Sequence, residues 1–92
     1  MIKTNEYFDG QVKSLGFEHG GVRHTAGVVM PGRYVFSTEQ VEHLSVTLGR
    51  LVVRLPGEPE REVKVGETVV IPAGVSFDLH APQTAAYLCS YH

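Results

Sequence analysis

The side chain whose placement asks most of its surroundings is the carboxylate of Glu42. It falls in phase with Leu44 and Val46, so a strand over this segment turns the acid inward beside two aliphatic neighbours. A carboxylate in such a place costs free energy unless it is paired or used. The competing role is a rim position that strand twist leaves in water. The five histidines offer less. His19 and His24 flank the Gly20-Gly21 loop, His43 is out of phase with Glu42, His80 precedes Ala81-Pro82, and His92 is last. No spacing among them nominates a metal, so no metal or other cofactor is expected. Cys89 is the one cysteine and has neither a helix start nor a cation beside it. It reads as a buried strand residue, not a nucleophile.

These groups must be positioned by strands. Gly and Pro punctuate the chain at Gly20-Gly21, Pro31-Gly32, Gly49, Pro56-Gly57, Gly66, Pro72 and Gly74, with short Val-, Leu-, Thr- and aromatic-rich runs between them. The runs alternate. Leu44, Val46 and Leu48 share one face, Phe77 and Leu79 another, and Tyr87, Cys89 and Tyr91 a third. Strands are expected at Val12–Glu18, Arg23–Val29, Arg33–Thr38, His43–Gly49, Leu51–Leu55, Glu62–Val65, Thr68–Ile71, Val75–His80 and Ala85–Tyr91. Ser37 or Thr38 offers a cap for a short helical turn within Ser37–Leu44. The chain therefore reads as one all-β domain over residues 1–92.

Several function classes drop out. Ten acids face eight Lys and Arg, giving a formal net charge of -2 without a basic block, so nucleic acid is not an expected partner. The opening MIKTNEYFDG lacks the apolar core of a signal peptide, and no apolar run approaches the roughly 20 residues that cross a bilayer. No membrane association and a cytoplasmic location are expected. A 92-residue chain without a disulfide buries a modest share of its surface, so a symmetric homodimer is expected, with the Tyr7-Phe8 pair among the apolar groups available to it.

Gly66-Glu67-Thr68-Val69-Val70-Ile71-Pro72-Ala73-Gly74 follows the G-x5-P-x-G spacing of a second cupin motif, and Glu42 with Gly49 follows the E-x6-G end of the first. Cupin metal sites add a His-x-His pair upstream of that glutamate and a histidine after the P-x-G. Here the upstream stretch is Tyr34–Gln40, without histidine, and Phe77 stands near the later position. A further ordered set spans nearly the whole chain: Asn5-Glu6-Tyr7-Phe8, Val12-Lys13-Ser14-Leu15-Gly16-Phe17, Pro31–Thr38, Leu51–Gly57 and Tyr87–Tyr91. In this set the chain resembles the small cupins known as pyrimidine/purine nucleoside phosphorylases. It departs from many of them in lacking Trp after the Leu55-Pro56-Gly57 turn. The resemblance implies a cupin-like antiparallel β-barrel (jelly roll). It also implies phosphorolysis of broad specificity, in which inorganic phosphate and a purine or pyrimidine nucleoside give ribose 1-phosphate and free base.

That reaction builds positive charge on the sugar and needs a held phosphate, gripped ribose hydroxyls and a place for the base. Arg23 is the leading phosphate ligand, followed by Ser37 and Thr38 and, more weakly, Lys13 and Thr25. A solvated strand position is the plain alternative for Arg23. Glu42 is assigned to the ribose hydroxyls. Phe36, Phe77 and Tyr91 can stack on any base, against the ordinary alternative of core packing. His24 or His80 can act as general acid only if the fold brings it to the pocket. Two rival functions remain: a non-catalytic small-molecule-binding or sensory cupin, and a metal-dependent cupin enzyme, which the missing histidines disfavour.

Overall fold

A computed structural model describes residues 1–92. Ten strands form: β1 Lys3–Tyr7, β2 Val12–His19, β3 Val22–Val29, β4 Gly32–Ser37, β5 Glu42–Leu48, β6 Arg50–Arg54, β7 Arg61–Lys64, β8 Thr68–Ile71, β9 Ser76–Ala81 and β10 Ala85–Tyr91. Nine match the alternating runs closely. The tenth, β1, was not among the expected strands: KTNEY carries no alternation of apolar residues, and its strand state comes from pairing along β2 from Lys3↔Gly16 to Tyr7↔Val12. No helix forms. The expected turn after Ser37 is an irregular loop instead.

The strands make two antiparallel sheets, in the orders β1-β2-β3-β10-β5-β8 and β4-β9-β6-β7. They stack as a cupin-like jelly roll. The sheets are not closed into a barrel, which corrects the expectation of closure. A parallel bridge between Val46 and Val65 is the one link of another kind.

Alternation sorts the residues between the faces. On β5, β8, β6 and β7 the inward positions are Leu44, Val46, Val69, Ile71, Leu51, Val53 and Val63, all at most 5% exposed. Burying such side chains stabilises the fold by about 1.5–3 kcal/mol each. On β2 and β3 the inward positions between Val12 and Val29 are small: Ser14, Gly16, Thr25 and Gly27. This half of the six-stranded sheet cannot fill the space beneath β4 and β9, and the difference sets the place of the site.

The β1–β2 hairpin closes one flank. Phe8 and Asp9 turn at φ 53 and 55, the left-handed region that bulky residues avoid. The turn holds Phe8 against Tyr34 and Phe36, with ring centroids at 5.1 and 5.4 Å, and brings Tyr7 to 5.7 Å from Phe36. The Tyr7-Phe8 pair, expected to serve a subunit contact, packs on this flank while both residues stay exposed, at 42% and 45%.

Candidate active site

Between β2, β3, β10 and β5 on one side and β4 and β9 on the other lies a cavity of about 330 Å³. That is within the size range of small-molecule sites. Six of the expected site residues line it: Arg23, Phe36, Ser37, Glu42, Phe77 and Tyr91. They arrive from five segments of sequence, and strand register brings them together.

The register explains the polar wall. Arg23 of β3 stands opposite Tyr91 of β10, which in turn stands opposite Glu42 of β5. Residues directly opposite in a sheet point to the same face. The Arg23 guanidinium carbon lies 4.7 Å from the centroid of the Tyr91 ring, a cation–π contact. The Tyr91 hydroxyl shares a 3.0 Å hydrogen bond with Thr25 Oγ1, which fixes the ring that supports Arg23. Thr25 itself is buried and acts through Tyr91. The Cys89 thiol donates to Glu42 Oε1 at 3.6 Å.

Burial raises the Glu42 pKa above its ordinary 4.5, and the Cys89 hydrogen bond and the Arg23 charge moderate the rise. The same burial, reinforced by the Glu42 charge, pushes the Cys89 thiol up to about 12. Cys89 is therefore a neutral donor and not a nucleophile, as its sequence context indicates. Burial also raises the Tyr91 phenol above 10.0 and the Tyr87 phenol to about 12. Both phenols keep their protons and present donors.

The opposite wall is aromatic. Phe36 and Phe77 stand opposite each other on β4 and β9, with centroids at 6.1 Å and planes 26° apart. Leu79 continues this wall inward. Ser37, Glu39 and Gln40 form the mouth, and the Ser37 hydroxyl shares a 3.0 Å hydrogen bond with Ser76.

The remaining candidates fall elsewhere. Thr38 does not line the cavity. Its hydroxyl donates to the Pro72 carbonyl at 2.6 Å and accepts the Val75 N–H at 3.2 Å, pinning the β4–β5 loop to the turn before β9. Its hydroxyl is committed to the backbone, so the role expected of it beside Ser37 passes to a structural one. Lys13 points outward to Glu6 at 3.2 Å. His24 stacks on Phe17 at 5.6 Å and its Nδ1 meets the Val22 carbonyl. His80 stands opposite Arg33 and Val52, out of phase with the inward Leu79. Neither histidine lines the cavity, and no group of three or more His, Cys, Asp or Glu side chains is arranged to hold a metal.

Tyr7, Ser14, Glu39, Gln40 and Tyr87 also line the cavity and are not assigned to the site by the sequence. Tyr87 carried a usable signal, since it shares the alternation of Tyr91. Ser14 is 4% exposed and accepts from Asn5 Nδ2 at 3.3 Å. Tyr87 lies flat on β3, where a Cβ added to Gly27 would sit 2.5 Å from its Cζ and 2.6 Å from its hydroxyl oxygen. Gly27 is thus the floor that lets this ring lie down. Arg23 is the single cation among the lining residues, facing the two carboxylates of Glu39 and Glu42.

Comparison with known proteins agrees with this architecture. Residues 2–91 match the family model described as pyrimidine/purine nucleoside phosphorylase. The chain is 44% identical over 92 residues to a protein of that name from Magnetococcus marinus, and 45% identical to one from Pseudomonas aeruginosa, with 99% of each chain covered in both cases. It is also similar to a crystal structure of a protein of unknown function from Vibrio parahaemolyticus. The TM-score there is 0.97 at 41% identity, covering 100% of this chain and 99% of the other.

Proposed function

The chain belongs to the pyrimidine/purine nucleoside phosphorylase family, and from that premise we propose that its cavity catalyses phosphorolysis of purine and pyrimidine nucleosides alike. The observation that carries the reading is the division of the cavity into a charged wall of Arg23 and Glu42 and an aromatic wall of Phe36 and Phe77. A nucleoside is divided in the same way. Its sugar and the incoming phosphate need charge and hydrogen bonds, while its base needs flat apolar surface.

In this reading Arg23 holds the phosphate beneath the anomeric carbon, with Ser37 beside it, and Tyr91 fixes the guanidinium from behind. Glu42 accepts hydrogen bonds from the ribose hydroxyls. It also stabilises the positive charge that develops on the sugar as the glycosidic bond lengthens. A phosphate oxygen forms the new bond to the anomeric carbon, and the electron pair of the breaking bond goes to the base nitrogen. If monohydrogen phosphate is the nucleophile, its own proton balances the reaction. Ribose 1-phosphate leaves as the dianion and the base leaves neutral, so no histidine is required. Stacking accepts any base, because every base has a π-face.

The direct test is incubation of the protein with mixed nucleosides, with and without inorganic phosphate. Free base and ribose 1-phosphate should appear only with phosphate. Saturable binding of nucleosides with no release of base in either case would end the enzymatic reading in favour of a non-catalytic binding cupin. A homodimer belongs to the same proposal. The outward face of the six-stranded sheet exposes Leu15, Val28, Leu48, Val70 and Leu88, an apolar surface suited to a second copy. Light scattering should give about twice the chain mass of 10.1 kDa, and a monomer at micromolar concentration would contradict it.

A further inference from the structure

A cavity that accepts both base classes must grip something the two share. Stacking on Phe36 and Phe77 is one shared feature, but it fixes no in-plane orientation. A second shared feature lies beside the bond that breaks. Pyrimidine nucleosides carry O2, and purine nucleosides carry N3, on the ring atom adjacent to the glycosidic nitrogen. Both are acceptors on the same edge of the base, which is why the minor groove of DNA presents A and T alike. One fixed donor can therefore serve every nucleoside.

We propose that Tyr87 is that donor, and so the residue that determines the breadth of specificity, a proposal that rests on the phosphorolysis reading above. The other donors lining the cavity are engaged or remote. Arg23 lies on the Tyr91 ring, and the Tyr91 hydroxyl is bonded to Thr25 at 3.0 Å. Ser37 is paired with Ser76 at the mouth, and Gln40 is exposed on the loop. Tyr7 is 42% exposed on the edge strand. Tyr87 differs from all of these. Its ring lies in place against the Gly27 backbone, and its hydroxyl makes no hydrogen bond within the protein, while the nearby Ser14 hydroxyl is taken by Asn5.

Tyr87 also sits four residues from Tyr91 on β10, roughly 13 Å along the strand. Its ring reaches back over β3, so that its hydroxyl lies over Gly27 among the residues that line the cavity. As the glycosidic bond breaks, negative charge spreads over the base onto O2 or N3. A hydrogen bond from a phenol that keeps its proton then strengthens toward the transition state. Burial, which holds this phenol up to about 12, makes it a donor that does not transfer its proton.

The test compares adenosine, uridine and 3-deazaadenosine, whose N3 is replaced by C–H, in the unaltered protein and in Tyr87→Phe. In Tyr87→Phe, kcat/KM should fall roughly 10- to 150-fold for adenosine and uridine by similar factors, the range of a hydrogen bond to a charged group. The rate for 3-deazaadenosine should scarcely change. An equal loss with 3-deazaadenosine would make Tyr87 merely structural, and a loss confined to one base class would refute the shared acceptor. Should the variant not fold, the unaltered protein still decides. 3-Deazaadenosine should be slower than 1-deazaadenosine, which also lacks one ring nitrogen, and equal rates would overturn the proposal. If the unaltered protein releases no base from any nucleoside, the phosphorolysis reading itself falls, an outcome distinct from activity that ignores N3.

Discussion

The inward positions of β5 and β8 are Leu44, Val46, Val69 and Ile71, closed against Leu51, Val53 and Val63 of β6 and β7. The inward positions at the same depth on β2 and β3 are Ser14, Gly16, Thr25 and Gly27. Both halves obey the same alternation, and both bury these positions. They differ in side-chain volume. Branched aliphatics fill the gap between the sheets in one half. In the other, small residues leave a space that Tyr87 and Tyr91 line without filling. A small antiparallel sandwich can thus obtain a site by reducing volume on two neighbouring strands, while the other half carries the stability.

Five substitutions would break or sharpen this contrast. The largest effect belongs to the packed half. Ile71→Ala should cost about 2–5 kcal/mol, because nothing beside it can collapse into the space. Ser14→Ala, on the open half, should cost under about 1 kcal/mol. Urea unfolding of the two variants measures both, and equal losses would remove the distinction. Next is Arg23→Ala, which removes the one cation of the cavity. Losing a charge-assisted contact to the nucleophile should cost on the order of 2–4 kcal/mol of transition-state stabilisation, roughly 30- to 1,000-fold in kcat/KM for both base classes. The melting temperature should stay nearly unchanged, since Arg23 is exposed and makes no ion pair.

Gly27→Ala comes third. Its new Cβ would fall 2.5 Å from the Tyr87 ring, so the ring must lift into the cavity. We expect base release to drop by about 10-fold with a stability loss within about 1–3 kcal/mol, read by steady-state assay and thermal melting together. Unchanged activity would show that the position of Tyr87 is immaterial. The smallest effect concerns pH. In the proposed role Glu42 meets ribose as a carboxylate, and its pKa is raised above 4.5 in the fold, so kcat/KM should decline as pH falls through that raised value. Glu42→Gln should lose that limb while keeping whatever limb the phosphate itself contributes. It should also slow ribosides more than 2′-deoxyribosides if the carboxylate meets the 2′-hydroxyl. For stability the sign is opposite. The fold favours neutral Glu42, so this contribution is full below 4.5 and disappears as pH rises through the raised value. Glu42→Gln should therefore melt no lower than the unaltered protein at neutral pH.

How the site was legible follows from how each residue reaches it. Period-two alternation determined the strands from β2 to β10, because one buried face imposes it directly on the sequence. It also turned Glu42 inward with Leu44 and placed Tyr91 with Cys89. Composition made Cys89 a packed thiol, and the ordered motifs from Asn5 to Tyr91 pointed to the family. Alternation cannot tell which strands become neighbours. That Arg23, Tyr91 and Glu42 form one row is a fact of β3-β10-β5 order, set by pairings between residues up to 68 positions apart in sequence. The fate of Thr38 was hidden for the same reason, since its partners Pro72 and Val75 lie across the fold. Strand β1 has no alternation of its own and exists by pairing with β2. The cavity depends on volumes summed across two sheets, and no single strand records that sum. The sequence therefore determined which face most side chains take, a property local to each strand, although the irregularity opposite Leu48 turns that residue outward against its alternation with Leu44 and Val46. The tertiary structure decided which faces meet and what room remains between them.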